Sequence, residues 1–247
     1  SALPVIILIL LNIYGFKTTF KRFKPELSWW NKEQLKDITG LGFKFFIIQI
    51  AAMILFTTDN FIIAQLFGPD EVVPYDISHK YFSILIMGYS LLITPFWSSF
   101  TEAFAKEDYE WIKRSVSRIQ KIWILVPVAL VMMVYFSNWF YQFWVGDKVS
   151  VPINLSLAMA LFVALQTFNM IFVNFINGVG KVKLQIITGI ISIIINIPLS
   201  IYLGKYLELG SLGVILATCV SLGYSVILRP IQYYKIINGT AEGIWNK

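Results

Sequence analysis

The sequence has few charged residues for its length. Only 14% of its 247 residues are Asp, Glu, Lys or Arg, whereas 57% are hydrophobic. A soluble domain usually carries about 25% charged residues, and its core could not hide this much apolar surface. The composition therefore predicts a protein that lies largely within a membrane.

Cysteine and histidine are nearly absent, each occurring once, as Cys219 and His79. A lone cysteine cannot form an internal disulfide, and a lone histidine excludes most metal sites that use several imidazoles. The sequence also has no phosphate-binding glycine loop and no cluster of side chains typical of catalysis. We therefore predict no enzymatic activity, no metal and no cofactor.

Long apolar runs dominate what is present, and most of them reach the roughly 18 residues that a membrane-spanning helix needs. They do not alternate apolar and polar residues as the strands of a membrane barrel do. The sequence therefore predicts an all-α, polytopic transmembrane helical bundle. The predicted apolar segments cover about residues 1–16, 41–67, 77–102, 120–145, 151–177, 184–204 and 212–237.

Basic residues are concentrated in alternate connections between these segments, chiefly 17–40 and 103–121. Cytoplasmic connections are enriched in Lys and Arg, so we predict an outer N-terminus and a cytoplasmic C-terminus. The net charge of +6 then reflects topology and contact with membrane lipids, and we expect no nucleic-acid partner. The outer connections are too short to fold as separate domains.

The two long inner connections have amphipathic character. In 17–40, Asn31 can cap a short helix that Gly40 would end. In 103–121, apolar residues recur at helical spacing among charges. Each connection is interpreted either as an amphipathic helix on the inner leaflet or as a solvated linker.

An acidic residue lies deep inside the second apolar segment, in the stretch ILFTTDNFII. Asp59 is about eight residues from the outer end, or roughly 12 Å at the helical rise. A charge at such depth costs about 2.5–3.5 kcal/mol on lenient insertion scales. Asp59 must therefore face protein or water and find a partner, and Asn60 beside it adds hydrogen-bonding capacity.

The nearest cationic candidate is Lys80. If Pro74 ends the outer turn and the third helix begins near Tyr75, Lys80 lies about one turn inside an antiparallel neighbouring helix. We therefore predict an Asp59–Lys80 ion pair with His79 nearby. Such a pair is either a static contact that fixes the hairpin or a switch that rearranges or takes up a proton during transport.

Polar side chains also share one face of the fifth segment. Gln166, Asn169 and Asn177 fall within about 80° of one another on a helix. A helix that faced only lipid would not carry such a face. The three residues either line a water-filled cavity or bind a neighbouring helix through hydrogen bonds.

Several stretches, taken in order, resemble the polysaccharide-transport family, the Wzx-type oligosaccharide flippases of the MOP superfamily. They are TTDNFIIAQLFGPDEVVPYDISHKYFSI, TPFWSSFTEAFAKEDYEWIKR, NFINGVGKVKLQ and SLGVILATCVS. Members of that family have about twelve or more helices in two lobes around a central cavity. The resemblance implies that 1–16 is the last helix of a truncated first lobe, 17–40 the cytoplasmic inter-lobe linker, 41–237 a six-helix second lobe and 238–247 a cytoplasmic tail.

The resemblance also implies a function. It is the movement of a lipid-linked oligosaccharide, such as an O-antigen repeat unit of lipopolysaccharide biosynthesis, across a bacterial inner membrane by alternating access. The family's aspartate and basic residue in the first two helices of this lobe correspond to Asp59 and Lys80. A coupling ion, H⁺ or Na⁺, is a further expected partner.

Two alternatives are kept open. A cation-coupled multidrug exporter of the same superfamily would need an acidic, ion-binding first lobe, which this chain does not contain. A membrane-embedded polysaccharide polymerase or glycosyltransferase belongs to another class, and the short outer connections argue against it.

Overall fold

The fold is built from helices. A computed structural model of the protein describes residues 3–21, 32–146 and 149–247, and all the regular structure in these ranges is helical. The helices are α1 (Leu3–Lys17), α2 (Lys32–Phe67), α3 (Pro69–Ile93), α4 (Phe96–Ala105), α5 (Tyr109–Trp123), α6 (Leu125–Val145), α7 (Ile153–Gly178), α8 (Lys183–Ile201) and α9 (Gly210–Ile237). A π-helix, Tyr202–Tyr206, continues α8, and a 3₁₀ helix, Gly243–Asn246, lies near the C-terminus.

Within the described ranges, six helical segments are long and apolar enough to cross a membrane. This confirms the predicted all-α class and the last six predicted segments. The first predicted segment corresponds to a shorter apolar helix, α1. The six spans are Thr39–Phe67, Pro69–Ala105, Tyr109–Val145, Ile153–Gly178, Lys183–Tyr206 and Gly210–Ile237.

The chain divides into two compact units, Ser1–Phe43 and Lys44–Lys247. In the first unit, α1 consists almost entirely of apolar residues and ends where the Thr18 hydroxyl donates to the carbonyl of Tyr14 at 2.7 Å. The second unit contains the candidate site and the cavities described below. The predicted split into an inter-lobe linker, a lobe and a tail stays a prediction.

The predicted short helix in 17–40 needs correction at its end. Its proposed cap, Asn31, lies outside the described residues, but α2 runs from Lys32 to Phe67 without ending at Gly40. A glycine inside a helix costs only about 1 kcal/mol relative to alanine. The long apolar segment that follows continues the helix through it.

The start of α3 also differs from the prediction. Gly68 has φ +94° and precedes Pro69, which occupies the first turn, where its missing N–H is not needed. Asp70 and Glu71 follow in that turn and interact favourably with the helix dipole. The helix therefore begins five residues before Pro74, which lies inside it instead of ending the outer turn.

Prolines break two of the spans into shorter helices. Pro95 lies between α3 and α4, and Pro127 follows the break between α5 and α6 at Ile124. A proline inside a helix clashes with the carbonyl four residues earlier, which for Pro127 belongs to Trp123. Each break redirects the chain while the span as a whole continues.

Helices α7 and α9 form the centre of the second unit. About half of the apolar window of each span is buried inside the protein, 50% and 56%, against 12–22% for the other spans. The fully buried residues Phe172, Phe175 and Ile215 lie on these two helices. The remaining spans pack around this pair and leave their outer faces apolar and exposed, as lipid-facing helices do.

The amphipathic helix α5 packs against protein instead of lying on the leaflet. Asp108 caps it by accepting a hydrogen bond from the Trp111 amide at 3.0 Å. Its apolar residues Ile112, Val116 and Ile119 are buried, and the helix contacts α4, α6 and α7. The helical spacing was predicted correctly, but the surface that covers the apolar face was not.

The C-terminal segment, predicted as a tail, folds back onto the connection between α7 and α8. The Lys183 amide donates to the Lys247 carbonyl at 2.8 Å. The Gln232 side chain on α9 donates to the carbonyls of Lys181 at 2.9 Å and Trp245 at 3.3 Å. These contacts connect the start of α8 with the end of α9 on this side of the second unit.

At the opposite end, two glycines let α9 approach the π-helix closely. A Cβ on Gly213 would lie 2.5 Å from both the Leu203 carbonyl carbon and the Gly204 nitrogen. These are backbone atoms and cannot move aside as a flexible side chain can. Only glycine fits at position 213.

We expect Gly213→Ala to destabilise the protein by about 1–3 kcal/mol, the usual cost of overpacking. For a domain of this size that lowers the melting midpoint by roughly 2–10 °C. The matched control is Gly223→Ala on the same helix, where an added Cβ meets nothing within 4 Å. Thermal unfolding in detergent, followed by tryptophan fluorescence, measures both; equal midpoints would contradict the close approach.

Candidate functional site

Asp59 lies in a buried hydrogen-bonded network at the core of the second unit. Asp59 is only 2% exposed. The Tyr75 hydroxyl on α3 donates to Oδ2 at 2.8 Å, and the Thr218 hydroxyl on α9 lies 2.9 Å from Oδ2 and 3.2 Å from Oδ1. The carboxylate thus faces protein, as its predicted cost in lipid requires.

The network extends to a fourth helix. Asn196 on α8 donates through Nδ2 to the Thr218 hydroxyl oxygen at 2.9 Å. This leaves the single Thr218 proton free to point at Asp59. The Asn196 carbonyl oxygen, Oδ1, is buried and has no hydrogen-bond partner among the described residues. The site therefore contains two carboxylate oxygens, two hydroxyls and an unused amide oxygen.

The predicted ion pair with Lys80 is not formed. Lys80 is exposed, and no cationic side chain in the described part of the chain lies within 4.0 Å of Asp59. Tyr75 points at Asp59, and Lys80 is five residues further on. Five residues correspond to about 140° around a helix, so Lys80 faces a different direction. The carboxylate is stabilised by hydroxyl groups, not by a cation.

The other two predicted residues lie beside the network. Asn60 donates to Oδ1 of Asp76 at 2.9 Å. This contact lies one residue further along each helix than the Asp59–Tyr75 contact. His79 is partly buried, and its ring is parallel to that of Tyr75, with centroids 6.4 Å apart. His79 follows Tyr75 by four residues and therefore shares its face.

A second polar feature is a cavity of about 250 Å³ between α2, α7, α8 and α9. Gln166 and Asn169 line it, together with Gln185, Ser192, Ser225 and Arg229. Asn177 does not. It follows Asn169 by eight residues, which is about 12 Å along the helix, and so lies beyond the cavity on a similar side.

The residues missed by sequence reasoning are Tyr75, Thr218, Asn196 and Arg229. Thr218 is 159 positions from Asp59, and nothing in a single sequence pairs them. Tyr75 carried a local signal, because a helix that places His79 near Asp59 places Tyr75 on the same face. Arg229 carried a signal too, since a charged residue inside an apolar run indicates a functional position.

The six spans define a multi-pass membrane protein. A sequence model of the MatE family matches residues 45–202, which is more than half of the chain. The protein therefore belongs to the MatE family, whose members are membrane transporters and not enzymes. This overturns the polymerase alternative. A comparison with curated protein sequences finds no match.

Two solved structures share the fold. One is a crystal structure of a proline-to-alanine mutant of a MATE protein, with 16% identity and a TM-score of 0.76 over 94% of this chain and 54% of that one. The other is described as an outward-facing multidrug resistance MATE family transporter of the MOP superfamily, with 16% identity and a TM-score of 0.75 over 95% of this chain and 55% of that one. The chain thus spans about half the length of the structures it matches.

We expect Thr218→Val to destabilise the protein by about 1.5–3 kcal/mol, because a hydrogen bond to a charged group is lost from a buried site. Thr218→Ser, which keeps the hydroxyl, is the control and should cost less. Melting midpoints in detergent compare the two. A Val variant that melts at or above the Ser variant would show that Asp59 does not depend on this hydroxyl.

Proposed function

We propose that this chain forms one lobe of a cation-coupled exporter that works by alternating access, with Asp59 as the residue that binds the coupling cation, H⁺ or Na⁺. The observation that carries the proposal is a buried carboxylate in a membrane lobe with no cationic side chain within 4.0 Å among the described residues. A mobile cation that binds to such a group neutralises it and so lowers the free-energy cost of burying its charge.

The chemistry of the site suits either ion. Both oxygens of Asp59, the hydroxyl oxygens of Tyr75 and Thr218 and the unpartnered Oδ1 of Asn196 are hard oxygen ligands of the kind that small hard cations take. Alternatively, a proton on Asp59 removes the charge outright. The described residues contain no group of three or more His, Cys, Asp or Glu side chains able to hold a metal ion.

The position of the site suits coupling. Asp59 on α2, Tyr75 on α3, Asn196 on α8 and Thr218 on α9 belong to one hydrogen-bonded chain. When a cation or a proton neutralises the carboxylate, the hydrogen bonds that the two hydroxyl groups donate to it become weaker. Binding of a cation therefore favours whichever arrangement of these helices keeps the best contacts, which is how a ligand shifts a conformational equilibrium.

The exporter proposal is supported by family membership and by the matched structure described as a multidrug resistance transporter. From the sequence alone, the ion-binding acid of such an exporter is expected in the first lobe. Asp59 offers one in this lobe. We propose a bacterial inner membrane as its location, as the resemblance to the polysaccharide-transport family implies, with the C-terminus in the cytoplasm, as the basic connections suggest.

A second candidate is the flipping of a lipid-linked oligosaccharide. The observation that favours it is the amide-lined wall of the cavity, where Gln166, Asn169 and Gln185 come together. Side-chain amides both donate and accept hydrogen bonds and so match sugar hydroxyls. The stretches that resemble the polysaccharide-transport family support the same candidate.

In the full-length protein, we expect Asp59→Asn to reduce gradient-driven transport by about tenfold or more, within the ~1–3 kcal/mol typical of coupling between sites. The variant keeps the size of the side chain but cannot be ionised. Asp70→Asn, at an exposed acid of α3, and Lys80→Ala are controls and should transport normally. Full activity of Asp59→Asn would remove Asp59 from the coupling mechanism.

Proteoliposomes separate the two candidates and the two ions. We expect a fluorescent organic cation to move when a pH or Na⁺ gradient is imposed, and the ion whose gradient drives it is the coupling ion. Translocation of a lipid-linked oligosaccharide, measured by its access to an external sugar-binding protein, would favour the flippase instead. Movement of the oligosaccharide without movement of the organic cation would overturn the exporter proposal.

A further inference from the structure

The cavity between α2, α7, α8 and α9 has two unlike walls. Residues of α2 supply an apolar wall, formed by Ile48, Ala51 and Leu55. The opposite side carries the polar residues, including Arg229 and Ser225 on α9. A cavity with one apolar and one polar wall matches an amphiphile better than either water or a purely polar solute.

Arg229 is the charged group in this wall. The residue is only 8% exposed, and its Nη1 atom is buried with no hydrogen-bond partner among the described residues. No carboxylate in that part of the chain lies within 4.0 Å of it. The nearby Tyr224 hydroxyl already bonds to Ser192 and to the Thr188 carbonyl. A buried guanidinium without a counter-charge is costly and therefore indicates an anionic ligand.

Two other unpartnered atoms restrict the ligand further. Oδ1 of Asn169 and Oε1 of Gln185 are buried, have no hydrogen-bond partner among the described residues and belong to residues that line the same cavity. They are acceptors and need donors. The complementary ligand therefore combines an anion for Arg229 with hydroxyl groups for the two amides.

We propose that this cavity binds the head group of a membrane lipid that carries a phosphate and free hydroxyls, with the phosphate on Arg229. Arginine binds phosphate oxygens through two parallel N–H donors. At about 30 Å³ per water, the cavity has room for roughly eight waters, enough for a phosphate with its glycerol. The acyl chains would follow the apolar α2 wall.

Charge nearby favours entry of an anion. A second, more open cavity lies against the start of α8 and is lined by Lys44, Lys181 and Lys183. Its α8 residues Ile186 and Ile187 lie along the helix between Gln185 and Gly189 of the first cavity. A group of lysines close to the first cavity raises the local concentration of anions.

The lipid site is separate from the cation site. Thr218 and Arg229 are eleven residues apart on α9, which is about 16 Å along the helix. The inference shares its cavity with the flippase candidate but goes beyond the proposed exporter function, because binding to Arg229 needs no gradient and no movement of cargo. A variant can therefore lose lipid binding while cation-coupled transport is intact. It can equally lose transport while lipid binding is intact.

The test measures binding to the full-length protein in detergent by isothermal titration calorimetry. The probes are dioctanoyl phosphatidylglycerol, dioctanoylglycerol, which lacks the phosphate, and glycerol 3-phosphate, which lacks the chains. We expect phosphatidylglycerol to bind most tightly. Equal affinity for glycerol 3-phosphate would assign the site to a soluble phosphate ester and overturn the lipid as its source. Equal affinity for dioctanoylglycerol would overturn the anion site.

Two sets of variants test Arg229 itself. Arg229→Gln should weaken binding of phosphatidylglycerol by about ten- to a hundredfold, the value of a hydrogen bond to a charged group. Arg114→Gln, at an exposed arginine of α5, is its control and should bind as the unchanged protein does.

Because Arg229→Gln risks misfolding, Ser225 provides a second test. Ser225→Glu places a carboxylate four residues before Arg229 on the same helix, where the two side chains can pair. Ser225→Gln has the same size without the charge. We expect the Glu variant to bind phosphatidylglycerol at least about tenfold more weakly than the Gln variant. Equal affinities would show that Arg229 does not hold the phosphate.

Discussion

A carboxylate in a membrane lobe is the constraint around which the second unit is organised. Asp59 is too costly to expose to lipid, and the protein meets this cost with the hydroxyls of Tyr75 and Thr218 instead of a lysine. Hydroxyl donors stabilise the ionised form but do not cancel its charge. The proposed cation site therefore has no fixed counter-charge among the described residues, whereas a permanent ion pair would have supplied one.

The central position of α9 connects the polar features of the lobe. The same helix donates Thr218 to the Asp59 network and Arg229 to the cavity wall. Helix α2 does likewise, with Asp59 in its C-terminal part and Ile48, Ala51 and Leu55 in the cavity wall. The proposed cation site and the proposed lipid site therefore share two helices. A shift of α2 relative to α9 would alter both sites together, without a continuous path of polar residues between them.

The sequence predicted the spans because length and hydropathy alone decide whether a helix can cross a membrane. It also showed that Asp59 needs a partner, because the cost of burying a charge does not depend on the fold. It could not identify the partner. Charge and proximity in the sequence favoured Lys80 as the partner. The contact to Asp59 depends instead on where α3 begins, at Pro69, and on the direction of Tyr75. Thr218 becomes a neighbour only when α9 packs in the centre.

The cavity shows the same limit. The polar face of α7 was visible in the sequence, and Gln166 and Asn169 lie in the cavity wall. Angular position on a helix can be read from spacing, but the length of a cavity cannot, and Asn177 falls beyond its end. Arg229 on α9 could have been noticed as a charge in an apolar run. Its lack of a partner becomes apparent only from the folded structure.

Helices α8 and α9 are joined at both ends. Gly213 presses against the backbone of Leu203 and Gly204 at one end, and the folded-back C-terminal segment bridges Lys181, Gln232 and Trp245 at the other. A pair of helices that is held together at both ends resists bending between those ends. A hinge within the second unit is therefore expected outside this pair of helices, and α2 is the least enclosed of the spans.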